Sequence, residues 1–224
     1  MADKLVFEGE EAEYLKNIGR YYATTKELLI FGEQVDPENR TLPQVINELR
    51  NCLDHLMRVV LFKFGLSRRD KDGDYVKTNL DKAYGHVYRA AYDALDWISL
   101  TLKGRIIDEL QGFSLDTIQA VLPEYFKEIK PRFEEIITNE VTILRMEKDV
   151  AQKSEENLAK YGQVVAEMKR LFNLIVNRKS ALVEYQTRQV KSQRKQLIQS
   201  IIVKIIIAVV SGVAVGLVVW HLTH

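Results

Sequence analysis

The chain has 224 residues, with 32 Lys and Arg against 31 Asp and Glu, four His and one Cys. A balance this close to neutral argues against general coating of nucleic acid. Its one cysteine, Cys52, excludes an internal disulfide framework and fits a reducing compartment.

The amino-terminal stretch MADKLVFEGEEAEYLK is acidic and lacks an apolar h-region, so no signal peptide is expected. Residues 9–34 read as a first helix, with Tyr14, Ile18, Tyr21, Tyr22, Leu28, Leu29 and Phe31 as a loose apolar stripe, and Asp36-Pro37 ends it. Thr41-Leu42-Pro43-Gln44 has capping-box spacing and an early proline, and opens a second helix. Its expected buried stripe is Ile46, Leu49, Leu53, Leu56, Val60 and Phe64. Cys52 falls within this helical periodicity and reads as a small buried residue rather than a nucleophile.

After the polar loop 65–73, a third helix is expected from near Thr78, carrying Leu80, Tyr84, Val87, Ala91, Leu95, Ile98 and Leu102. Gly104 and Gly112 punctuate the chain beyond it, and Ser114 has the character of an N-cap for a short helix ending before Pro123. From there the pattern stays helical, with a kink or fresh first turn at Pro131 and a stripe of Phe133, Ile137, Leu144 and Ala151. Residues 145–157 are highly charged and form either a hairpin, with a new helix starting at Ser154, or a solvated stretch of one long helix. A heptad-like seam of Leu158, Tyr161, Val165, Met168, Phe172, Ile175 and Leu182 then packs on the bundle or on other copies. No strand pattern occurs, so the chain is expected to be all-α.

Residues 201–220, IIVKIIIAVVSGVAVGLVVW, hold one charge, Lys204, and one hydroxyl, Ser211. As a helix they reach about 30 Å, the thickness of a bilayer's hydrocarbon core. Lys204 can extend its stem to the headgroups, and Trp220 suits the far interface. The segment reads as a carboxy-terminal anchor. Ala208, Gly212 and Gly216 recur every four residues, a small-residue run that lets helix backbones approach closely. Between Arg178 and Lys204 lie seven basic residues and one acid, Glu184. That excess predicts a cytoplasmic amino-terminal domain, and it attracts anionic lipid.

Two polar stripes stand out. Asn47, Asn51, His55 and Arg58 lie opposite Leu49, Leu53 and Leu56 on the second helix. Lys82, His86, Arg89 and Asp93 share a stripe on the third. If the two helices are antiparallel neighbours, the stripes converge. Two imidazoles among guanidinium groups suit phosphate or another anion, and a neutral His there can act as a general base. The same residues also read as surface stripes with local ion pairs, Arg89 with Asp93 and Arg50 with Asp54. No Cys/His cluster has zinc-ligand spacing, and no P-loop, dinucleotide fingerprint or G-x-S-x-G occurs, so neither metal nor cofactor is expected.

The segment NELRNCLDH contains Arg50-Asn51 followed by His55, which resembles the R-x(4–6)-H motif of HEPN domains, including the polar residue after the arginine. The resemblance covers about residues 10–145. It implies a helical bundle and, in active members, a metal-independent endoribonuclease using Arg50, Asn51 and His55 across a dimer. Arg50 and His55 stand about 140° apart on a helix, a departure that counts against catalysis. With its anchor, the chain resembles the membrane accessory protein of type VI-B CRISPR systems. That resemblance implies a prokaryotic inner membrane, a homo-oligomer and pore formation in antiviral defence, with RNA or a CRISPR effector complex as further partners. Two other readings stay open: a membrane-tethered ribonuclease and a tail-anchored adaptor. The expected organisation is a HEPN-like bundle over 1–145, a charged stalk or hairpin over 146–200, and a transmembrane helix over 201–222.

Overall fold

The computed structural model describes residues 5–67, 74–146 and 155–223. Among them every regular element is helical: α1 (Glu10–Val35), α2 (Pro43–Lys63), α3 (Tyr75–Leu110), α4 (Leu115–Val121), α5 (Lys130–Glu135), α6 (Val141–Met146) and α7 (Glu155–Thr223). Five-residue π turns, Tyr125–Ile129 and Ile136–Glu140, lead into α5 and α6, so 125–146 is one helical run. The all-α expectation holds.

The spine is α3, about 54 Å long at 1.5 Å per residue. Its ends carry charged residues, but from Ala83 to Leu95 every residue except half-buried His86 and Arg89 is buried, so this middle stretch is surrounded. Leu80, Val87, Leu95, Ile98 and Leu102 are buried, and Ala83, Ala90, Ala91 and Ala94 let neighbours approach closely. The backbone runs straight through Gly104, where a break was expected.

Around the first half of α3 pack α1, parallel to it, and α2, antiparallel. Both lean on α3 rather than on each other. Tyr14, Tyr21, Tyr84, Tyr88, Tyr92 and Tyr161 form a chain of ring contacts through this core. At Gly32 the ring of Trp97 comes so close that a Cβ would stand 2.2 Å from its Cζ3.

Along the second half packs α7, and α4 and the run 125–146 lean mainly on α7. Tyr161 donates to Asp96 at 2.6 Å and Lys179 pairs with Glu109 at 2.5 Å, so α7 runs parallel to α3. Arg132 pairs with Glu167 at 2.6 Å while Arg145 and Tyr161 both reach Asp96, so 125–146 runs antiparallel to α7. The charged stretch 147–154, Ala151 and the expected helix start at Ser154 lie outside the described residues. The seam from Leu158 to Leu182 packs on the bundle: all its members are buried except half-buried Phe172.

Local signals fare unevenly. Ser114 caps α4, accepting from Thr117 N at 3.1 Å. Pro131 opens the α-helical turn of α5 directly after a π turn, which accommodates its missing N–H. Thr41 is not a cap: Leu42 precedes α2, and the Thr41 hydroxyl bonds Glu33 instead. The third helix begins at Tyr75, three residues before the expected Thr78. The buried stripe of α2 is Val45, Cys52 and Val59, supported by half-buried Leu49 and Leu56. Ile46, Leu53 and Phe64, expected inside, are exposed. Helix α2 is thus turned by about 70° from the expected phase, with Leu49 and Leu56 common to both stripes.

Candidate functional site

That rotation moves the polar residues as well. His55 was expected opposite the buried side and instead faces α3, half-buried. There it meets His86: the imidazoles stack with centroids 5.3 Å apart and planes 18° apart. The antiparallel register of α2 on α3 brings Glu48 to the same place. Its Oε2 lies 2.8 Å from His86 Nδ1 and 3.0 Å from Arg89 Nε. The two expected stripes therefore converge through His55, His86 and Arg89.

The hydrogen-bond chemistry assigns tautomers. Asn79 Nδ2 donates to the Tyr75 carbonyl at 2.8 Å, which turns Asn79 Oδ1 toward His55 Nδ1 at 2.9 Å. An amide oxygen only accepts, so His55 Nδ1 carries a proton and donates to it. His86 is caught between two demands. Its Nδ1 lies 2.6 Å from Arg89 Nη2 and 2.8 Å from Glu48. A guanidinium only donates and a carboxylate only accepts, so Nδ1 satisfies one neighbour at a time: protonated it gives to Glu48, bare it accepts from Arg89. Burial pushes the Glu48 carboxyl up, but hydrogen bonds from His86 and Arg89 outweigh it and hold it below its ordinary value.

The remaining expected site residues are elsewhere. Arg50 is exposed and, among the described residues, reaches only the neighbouring Asn51, at 3.5 Å, and not His55. Arg58 pairs with Asp54 at 2.6 Å, in place of the expected Arg50–Asp54 pair. Arg89 pairs with Glu48, in place of the expected Asp93. Asp93 is buried and accepts from Gln44 at 3.1 Å. Asn47 and Lys82 are exposed. Cys52 is buried, and burial pushes its thiol up to about 11, leaving it inert. Glu48 and Asn79 complete the cluster and went unmarked in the sequence, because only the α2–α3 register shows that they face it. No group of three or more potential metal ligands occurs among the described residues.

The second candidate element is α7. Leu182 is its last buried residue and Gln186 still bonds the α3–α4 turn; beyond that it stays helical to Thr223, a projection of about 55 Å past Gln186. Among the described residues it is the one helix long and apolar enough to cross a membrane, with a mean hydropathy of 2.8 in its most apolar window and none of that window buried. A Cβ at Gly212 or Gly216 would meet nothing within 4 Å, so the face carrying them is open.

Comparison with protein-family models, with curated proteins and with solved structures finds no match.

Proposed function

We propose that the protein is a single-span membrane effector that oligomerises and permeabilises the membrane, its helical bundle assembling or sensing on the cytoplasmic face. One observation carries this reading: α7 is a core helix of the bundle from Leu158 to Leu182 and continues unbroken into the apolar segment. A rearrangement of the bundle reaches the span without a flexible linker between them. The basic excess from Arg178 to Lys204 supports an inner-membrane, cytoplasm-facing orientation. Two exposed surfaces support assembly of copies: the apolar stripe of Ile46, Leu53, Met57 and Leu61 on α2, and the small-residue face of the span. The HEPN-like resemblance, and with it a role beside a type VI-B CRISPR effector in antiviral defence, belongs to this proposal. Its support is the helical bundle, the Arg50-Asn51…His55 segment and the anchor.

The full-length protein reconstituted into dye-loaded vesicles is expected to release dye, and Gly212→Ile with Gly216→Ile to suppress the release. Vesicles that stay tight would contradict the reading. The paired imidazoles favour a second one, a tethered ribonuclease, since acid–base cleavage of RNA needs such groups. Metal-independent RNA cleavage lost in His55→Ala would establish it. Tight vesicles together with intact RNA would leave a tail-anchored adaptor.

A further inference from the structure

The bundle ends, on the side facing the span, in the turn between α3 and α4. Gly112 makes this turn with φ at 88°, a conformation that favours glycine. Gln186 of α7 ties it down, donating to the Gly112 carbonyl at 3.0 Å. The turn presents an apolar tip: Phe113 is half-buried, and Leu115 is 70 % exposed. Between tip and helix opens a cleft of about 470 Å³, walled by Phe113, Val183 and Val190 with Lys191 at its side.

At 100° per residue, Arg194 falls within about 20° of Val183 and about 40° of Val190 on the helix. The cleft-facing side of α7 therefore continues toward the span as Lys191 and Arg194, with Lys195 beside them. None of these three has an acidic partner among the described residues, whereas Arg188 is paired with Glu184. They are unneutralised cations next to an apolar tip.

Their height is fixed by the helix. Lys191 lies about 15 Å and Arg194 about 10 Å before Ile201. The headgroup layer of a leaflet occupies about 5–8 Å outside the hydrocarbon. Long basic side chains reach down to it. The tip sits higher: Gln186, which holds it, lies about 22 Å before Ile201. Only a lean of α7 toward the cleft side, at the steep end of the range of about 0–40° seen for spans, brings Phe113 and Leu115 toward the headgroups.

We propose that this end of the bundle is a docking surface for anionic phospholipid, with Lys191, Arg194 and Lys195 on the phosphates and Leu115 and Phe113 pressed into the interface. The protein then touches the bilayer twice, through its span and through the tip. The proposal rests on the reading of 201–220 as the anchor, and its two grounds are the unneutralised charge beside the cleft and its continuity with the span.

The test uses the full chain with Cys52→Ser and a single fluorophore at Leu115→Cys, in nanodiscs of phosphatidylcholine with and without phosphatidylglycerol. Both discs carry a headgroup-level quencher. Quenching of the tip is expected to be about twofold or more stronger in the anionic disc, and to fall to the neutral-disc level with Lys191→Glu and Arg194→Glu. Equal quenching in the two discs, or quenching unchanged by the charge reversals, would overturn the proposal. A companion label at Val209→Cys, with an acyl-chain quencher, reports on the anchor alone. If it is quenched in both discs while the tip is not, docking fails and the anchor stands. If it is not quenched, the anchor reading fails and the docking proposal falls with it.

Discussion

His55 and His86 stack across the α2–α3 contact, 5.3 Å between centroids, with Glu48 of α2 bonded to His86 beside them. Glu48 is the member on which the others depend: its Oε2 accepts from Arg89 Nε and, when His86 Nδ1 carries its proton, from His86 as well. Glu48→Ala leaves the half-buried Arg89 guanidinium without its carboxylate and is expected to destabilise the bundle by about 1–3 kcal/mol. Urea unfolding followed by near-ultraviolet dichroism measures this. A change no larger than that for Lys82→Ala would show the cluster to be structurally idle.

The same carboxylate predicts an acid limb of stability. Glu48 is held low by His86 and Arg89 against its burial, and Glu167 chiefly by the hydrogen bond from Arg132. A carboxyl with a lower pKa folded than unfolded stabilises fully above its ordinary value of 4.5, and that contribution is lost as pH falls through the lowered folded value. Stability of the wild-type bundle should therefore drop below pH 4.5 more steeply than that of Glu48→Gln or Glu167→Gln. Parallel acid limbs in all three would contradict the assignment.

Gly32 is needed by Trp97. A Cβ there would overlap the ring at 2.2 Å, so Gly32→Ala must displace the ring or part α1 from α3. The expected cost is about 1–3 kcal/mol, with a red shift of Trp97 emission as the ring moves toward water. Trp97→Leu in the Gly32→Ala background should recover part of the loss. No recovery would mean that the glycine matters for another reason.

Legibility of the fold in the sequence depends on how unambiguous each pattern is. The span has one charge in twenty residues and admits few readings, and the seam of α7 alternates cleanly. Helix α2 is different: Val45, Ile46, Leu49, Cys52, Leu53, Leu56, Val59, Val60 and Phe64 are apolar on several faces, so its periodicity has no unique phase. Taking Ile46 and Leu53 as buried in place of Val45 and Val59 turns the helix and sends His55 to the wrong side, although Cys52 is buried as expected. The partners Glu48 and Asn79 are fixed by the register of α2 on α3, a tertiary fact that no local spacing encodes. Gly104 misleads for a simpler reason, since burial of Leu102 and Ile106 on either side outweighs a glycine's cost of about 1 kcal/mol in a helix.

The small-residue face of the span predicts its own phenotype. Nothing lies within 4 Å of a Cβ at Gly212 or Gly216, so bulk there is harmless to the isolated chain and harmful only where helices meet. Gly212→Ile with Gly216→Ile should lower the particle mass in mild detergent while leaving the protein in the membrane fraction. An unchanged mass would place assembly in the bundle, with the apolar stripe of α2 as the first surface to alter.

Everything proposed for this protein depends on α7 carrying the bundle to a membrane and crossing it, with His224 on the far side. Cysteine accessibility tests that topology. In a Cys52→Ser background, one cysteine is added after His224 and, separately, Ser67 is replaced by cysteine; spheroplasts are treated with an impermeant thiol reagent. The terminal cysteine is expected to label in intact spheroplasts, and the one at position 67 only after lysis. Labelling of position 67 in intact spheroplasts, with the terminus protected, would contradict the topology.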